Sequence, residues 1–149
     1  MKLLLASDLH CDREAAQSLV RRSAAVDVVV IAGDFGNARR GLAQCIEILQ
    51  AIDRPTVVVA GNNESTPELQ QACANWPSAV VLHGTGTEID GVPFFGLGGG
   101  IPVTPSEAGV MTLPRKRLPR CCKTAHVVAC SFPTRRRRAF SISRRAEPR

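Results

Sequence analysis

Three stretches decide the fold: residues 2–10, KLLLASDLH; residues 28–35, VVVIAGDF; and residues 57–64, VVVAGNNE. Each is a short apolar run that ends abruptly in polar residues. Runs that are apolar throughout, with no alternation, are the pattern of strands buried on both faces of a parallel sheet. Amphipathic segments separate and follow them: DREAAQSLVRRSAA at 12–25, ARRGLAQCIEILQAI at 38–52 and TPELQQACANW at 66–76. In the second segment Leu42, Ile46 and Leu49 recur at helical spacing, with Ile48 and Ile52 broadening the apolar face. That stripe can lie on a sheet while Arg39, Arg40 and Glu47 face water. Thr66-Pro67 predicts the start of the third helix, with the hydroxyl as N-cap and proline at the first helical position. The result is a βαβαβ unit.

After Ser78 the rhythm changes to short strands: AVVLH at 79–83, Thr87 to Ile89, and VPFFGLGG at 92–99, with Asp90-Gly91 signalling a tight hairpin turn. An antiparallel element therefore follows the parallel ones. Phe94, Phe95 and Trp76 read as core, and the glycines from Gly96 to Gly100 as a tight strand exit. No Lys-Ser/Thr helix follows them, as a phosphate cradle would need. Beyond Thr112 the periodicity is lost, and Val127 to Cys130 is the one brief apolar stretch.

At 149 residues and 16.0 kDa, with 44% hydrophobic residues, the chain has room for one packed domain and excludes a two-domain enzyme. Its charge is uneven. Residues 1–111 carry 7 basic and 12 acidic side chains, a net of −5, whereas residues 112–149 carry 12 basic and 1 acidic, a net of +11. We therefore divide the chain into a domain at 1–111 and a basic, Pro/Arg-rich tail at 112–149, expected to be disordered. No apolar run approaches the roughly 18–20 residues that span a bilayer, and LLLA runs straight into Ser7-Asp8, leaving no signal-peptide core. A cytoplasmic chain with no membrane partner is expected. The six cysteines form no CxxC pair and read as free thiols.

Three polar clusters stand at the C-terminal ends of predicted strands: Asp8-Leu9-His10, Gly33-Asp34 and Gly61-Asn62-Asn63-Glu64. In open parallel sheets the ligand site lies at those ends, so the clusters converge. Asp8 and His10, two apart on an extended segment or turn, can grip one ion. Asp34 can bridge it to a second ion held by the amide oxygen of Asn62. Two divalent ions about 3.5–4 Å apart acidify a shared water and clamp phosphoryl oxygens. The plainer reading makes Asp8, Asp34 and Asn62 caps and turn residues of an inert α/β domain; His10 and the joint pattern resist it.

DLH, GDF and GNNE, in that order after apolar strands, resemble the first half of the calcineurin-like metallophosphoesterases, whose motifs run DxH, GD, GNH with Asp or Glu, a later strand-end His and GHxH. The resemblance covers about residues 1–100. It implies an αββα sandwich, here truncated or incomplete in its second half, and hydrolysis of a phosphomonoester or phosphodiester by a hydroxide bound to two divalent ions (Mn, Fe, Zn, Ni or Mg). Asp8 and His10 would bind the first metal, Asp34 would bridge, and Asn62 would bind the second. Asn63 stands where the family has the histidine that protonates the leaving group, and asparagine cannot act as an acid. Glu64 matches the closing acidic position and is read as a loop buttress.

In the family later histidines complete both metal shells; here the later histidines are His83 and His126 alone, with no GHxH, and impaired activity is expected. His83 is read as a surface or turn histidine, and His126 precedes its apolar stretch where the family's histidine follows one. The basic tail fits a nucleic-acid arm in charge though not in aromatic content, or a solvated tail. A third reading is favoured: the resemblance stops near Pro105, and Arg, Pro, Ser and Cys then dominate, as when a GC-rich gene is read out of frame. That reading predicts that shifting the frame near codons 104 to 112 restores a strand ending in His and a GHxH motif. The alternative to an enzyme is a non-catalytic scaffold of the same fold that binds through the tail. With the second sheet incomplete, the first sheet is expected to lack cover on one face, giving marginal stability or self-association.

Overall fold

The computed structural model describes residues 1–99 and, in backbone alone, 127–130. Four strands, β1 (Leu3–Ala6), β2 (Val28–Ala32), β3 (Thr56–Val59) and β4 (Ala79–Val81), form a parallel sheet in the order β1-β2-β3-β4. Helices α1 (Arg13–Ser23), α2 (Leu42–Leu49) and α3 (Thr66–Ala72) connect them. A second sheet holds β5 (Thr85–Ile89), β6 (Val92–Leu97) and β7 (Val127–Cys130) in the order β5-β6-β7. The β5–β6 pair is antiparallel and turns at Asp90-Gly91, both with positive φ, as a two-residue primed turn requires. β7, from the stretch where the sequence loses periodicity, pairs parallel to β6.

The period of two along each strand sorts the core into two layers. Val29, Ile31 and Val58 join Leu19, Ile46, Leu49, Leu69 and Trp76 of the helical layer and its connections, while Val28, Val30, Val57 and Val59 meet Leu82 and Phe94 on the other side. The described residues thus form the helix, sheet and sheet layers of an α/β sandwich. Both faces of β2 and β3 are fully buried. The expectation of an uncovered face is corrected: β6 supplies cover, with Gly96 so close to Val59 and Leu82 that a Cβ there would collide with both.

Two helix starts also differ from expectation. The cap of α3 is Ser65, not Thr66: Ser65 and Glu68 form a reciprocal capping box, and Pro67 lies in the first turn. α2 begins at Leu42, because Ala38, Arg39 and Gly41 all have positive φ and cannot be helical. Arg39 and Arg40 are exposed, but in a turn. α1 begins as read, with the Asp12 side chain accepting from the Ala15 N–H at 3.0 Å. Among the described cysteines, Cys11, Cys45 and Cys73 are free thiols; burial pushes Cys45 up to about 12 and Cys73 to about 11. No helix among the described residues is long and apolar enough to cross a membrane. His126, the Arg135 to Arg138 run and the rest of the tail lie outside the described residues.

Candidate metal centre

The loops after β1, β2 and β3 run side by side and continue the sheet's hydrogen bonding past its edge. Asp8 N–H donates to the Gly33 carbonyl at 3.1 Å, His10 N–H to Asp34 at 2.9 Å and Cys11 N–H to Phe35 at 2.9 Å. This close passage depends on glycine. A Cβ on Gly33 would strike the Gly61 backbone, and one on Gly61 would strike the Asp34 carboxylate. Asp8, His10 and Asp34 all adopt left-handed backbone, at φ 56°, 45° and 56°. The turn alternative for the Asp8–His10 segment therefore holds over the extended one. Non-glycine residues in this region are costly, about 1–3 kcal/mol each, and persist where surrounding structure holds them.

The side chains converge. One ligand atom from each of Asp8, His10 and Asp34 lies within 4.8 Å of the others. His10 Nδ1 sits 3.2 Å from the Gly36 carbonyl, which can only accept, so Nδ1 carries a proton and the neutral ring presents its lone pair on Nε2. Nε2 faces Asp8 Oδ1 at 3.7 Å, too long for a hydrogen bond. Asp8 Oδ1 is buried and has no hydrogen-bond partner among the described residues. With the ring neutral, two lone-pair donors face each other, one of them desolvated and unsatisfied. A divalent cation would satisfy both atoms, and the oxygen and nitrogen donor set suits a hard or borderline ion.

Asp34, at 2% exposure, is fixed more firmly. Its Oδ1 accepts from the backbone N–H of Asn62 at 2.9 Å, that of Asn63 at 3.1 Å and the Asn63 side-chain amide at 3.0 Å. Three donors fill that oxygen and leave Oδ2 free of them. The other end of the Asn63 carboxamide accepts from Ala38 N–H at 3.0 Å. Asn63 thus ties the Asp34 carboxylate to the loop beyond it. Asn62 is half-buried beside Asp34, and its side chain has no partner among the described residues.

Glu64 is the buttress the sequence suggested. Also 2% exposed, it accepts from the N–H of Asp34 at 2.8 Å, Gly61 at 2.7 Å and Gly36 at 3.4 Å. One carboxylate thereby joins the β2 and β3 loops from beneath. Burial raises its pKa above the usual glutamate value, the Gly61 hydrogen bond opposes the rise, and the charge of Asp34 adds to it.

His83 stands apart from this group. Its half-buried ring accepts the Gly98 N–H on Nδ1 at 3.3 Å, joining the end of β4 to the end of β6. The part sequence reasoning missed is the turn at 36–41, of which 38–41 was read as helix. Asn37 and Arg40 exchange two backbone hydrogen bonds, 2.9 and 3.0 Å, around Ala38 and Arg39. Gly36 and Gly41 bracket this turn, a signal that was available in the sequence.

With this geometry in view, the comparisons are consistent. A family profile described as the calcineurin-like phosphoesterase superfamily domain matches residues 1–94. No curated protein sequence matches the chain significantly. Among solved structures, TT1561 of Thermus thermophilus is similar at 25% identity and TM-score 0.64, over 75% of this chain and 56% of that one. A protein described as a novel archaeal phosphodiesterase is similar at 21% identity and TM-score 0.52, over 65% of this chain and 58% of its own; that likeness concerns the fold. The chain spans less than two thirds of the length of either structure. On a family match across most of its length, the chain belongs to the calcineurin-like phosphoesterase superfamily.

Proposed function

We propose that the chain is a metal-dependent phosphoesterase-type hydrolase, acting on a small phosphomonoester or phosphodiester through a centre built on Asp8, His10, Asp34 and Asn62. The observation that carries this reading is the buried, unpartnered Asp8 Oδ1 facing the free Nε2 of His10, in a cluster closed by Asp34. Asp8 and His10 would hold one divalent ion, Asn62 a second, and Asp34 would serve both. When bound, such ions acidify water and screen phosphoryl charge.

The chain's own residues supply the rest. Gly36 fixes the His10 ring through its carbonyl, so the imidazole need not reorient to act as a ligand. Glu64 and the Asn63 amide hold Asp34 rigid, which keeps the shared oxygen in place without rearrangement. Asn63 occupies the position of the family's leaving-group acid and has no proton to give; its carboxamide positions Asp34 instead. Leaving groups that depart as weak bases suit such a site.

The test is hydrolysis of p-nitrophenyl phosphate and bis-p-nitrophenyl phosphate by the full chain with Mn²⁺, beside an Asp34→Asn control. Turnover that needs Mn²⁺ and disappears in the control is expected. Equal rates in the two proteins would refute the assignment.

A further inference from the structure

Two of the free thiols come together where the start of α2 lies beside α1. Cys11 follows His10 in the chain, and its backbone N–H is taken by the Phe35 carbonyl at 2.9 Å. Its side chain rests on the beginning of α2: Sγ donates to the Arg40 carbonyl at 3.2 Å, and a Cβ on Gly41 would collide with that sulfur. Gly41 caps α2, and its carbonyl accepts from the Cys45 N–H at 3.1 Å, one turn further along. Cys45 thus stands one helical turn from the point at which the Cys11 thiol touches α2.

Both cysteines line one cavity of about 550 Å³ between the two helices. Burial is the main reason the Cys45 thiol is pushed up to about 12, and the charge of Cys11 is the next, so the two groups lie within electrostatic reach of each other. Cys45 is 3% exposed, and its sulfur has no hydrogen-bond partner among the described residues. Ala16 and Ile48 give the cavity an apolar wall. Asp12 and Glu47 line it too, but neither completes a three-ligand group with the sulfurs: the one such group among the described residues is Asp8, His10 and Asp34. The cavity therefore offers two sulfurs and, among the described residues, no third ligand.

We propose that Cys11 and Cys45 form a second metal site, separate from the centre of Asp8, His10 and Asp34, which takes one soft monovalent cation, Cu(I), between its two sulfurs. Sulfur donors select soft ions, whereas the oxygen and nitrogen donors of the neighbouring centre suit harder ones. Coordination number then separates the soft ions. Zn²⁺ in proteins is held by four ligands, or by three and a water, whereas Cu(I), with a filled d shell and a single charge, is stable on two thiolates in line. Binding replaces two S–H bonds by two S–Cu bonds and releases two protons, one of them from the bond to the Arg40 carbonyl. Copper stays Cu(I) throughout, so no oxidant or reductant takes part.

The test uses the full chain with Cys121, Cys122 and Cys130 replaced by serine, so that Cys11, Cys45 and Cys73 are its only thiols. Without oxygen, this protein is titrated into the Cu(I) complex of bicinchoninate, and transfer of the ion is read from the loss of the complex's visible absorbance. Transfer of one Cu(I) per chain is expected. It is lost in Cys11→Ser and in Cys45→Ala, which keeps the core apolar, and it survives in Cys73→Ser and in Asp34→Asn, which alters the neighbouring centre alone. A second measurement leaves both thiols in place: iodoacetamide labelling of Cys11, followed by mass spectrometry, is expected to be blocked by Cu(I) and not by an equal concentration of Zn²⁺. Absence of transfer, transfer that survives the loss of Cys11 or of Cys45, or loss of transfer in Asp34→Asn overturns the site. Labelling of Cys11 at the same rate with and without Cu(I), or equal protection by Zn²⁺, overturns it as well.

Discussion

Glu64→Ala probes how the metal loops are held. The residue is buried, and its carboxylate takes two short N–H bonds, from Asp34 at 2.8 Å and Gly61 at 2.7 Å, and one long one from Gly36 at 3.4 Å. Removing it leaves these donors unsatisfied in the interior, at about 1–3 kcal/mol for each short bond. Relief of a desolvated charge, visible in the raised pKa of Glu64, offsets part of that. The net loss should be about 2–4 kcal/mol, a large fraction of the roughly 5–15 kcal/mol that keeps a domain folded. Glu64→Gln keeps one acceptor oxygen and should cost about 1–2 kcal/mol. Urea unfolding followed by fluorescence suits this chain, because Trp76 is its only tryptophan and is buried in the helical layer. EDTA should be present, so that metal binding does not contribute. An alanine variant within about 0.5 kcal/mol of wild type, the scale of ordinary surface substitutions, would refute the buttress role.

Further outcomes follow from the same structure. Asp8→Asn replaces an unsatisfied buried oxygen, so it should leave the metal-free domain as stable as wild type or slightly more so, yet abolish stabilisation by Mn²⁺ in thermal melts. Gly61→Ala drives a Cβ into the Asp34 carboxylate and should lower both the melting temperature and Mn²⁺ affinity, whereas Gly91→Ala, with open space around it, should spare the metal site. The hydrogen bonds from Ser65, with that from Arg39, hold the Glu68 carboxyl down at about 2. Because the folded value lies below the unfolded one, the resulting stability is present above the usual glutamate value near 4.5 and is lost as pH falls through about 2. Ser65→Ala should cost about 1 kcal/mol at neutral pH and flatten that acid-side slope, as read from urea midpoints across pH.

The parts of the fold that were legible in the sequence are those fixed by short-range pattern. VVVIA and TVVV announce buried strands because every position is apolar or β-branched, and both faces of β2 and β3 are indeed covered. Asp8, His10 and Asp34 were legible as a cluster because strand ends in a parallel sheet meet. The misreadings have different causes. Ala38-Arg39-Arg40 has the local propensity of a helix, and contacts from Asn63 and Glu68, more than twenty residues away, help the Asn37–Arg40 pair to hold it as a turn. The N-cap error had a local remedy: Ser65 and Glu68 stand at the spacing of a capping box, which Thr66 does not match. The tie from Asn63 to Asp34 could not be read from residue type, since nothing in an Asn-Asn pair says which amide turns inward.

The functional reading stands on the proposal that the centre of Asp8, His10, Asp34 and Asn62 would hold two ions. Mn²⁺ titration of the full chain, followed by electron paramagnetic resonance with Asp34→Asn alongside, tests it most directly. Saturable binding of two ions is expected in the wild type, with weakening of both in the variant, because Asp34 serves both. Absence of saturable binding, or equal binding by the two proteins, would contradict it.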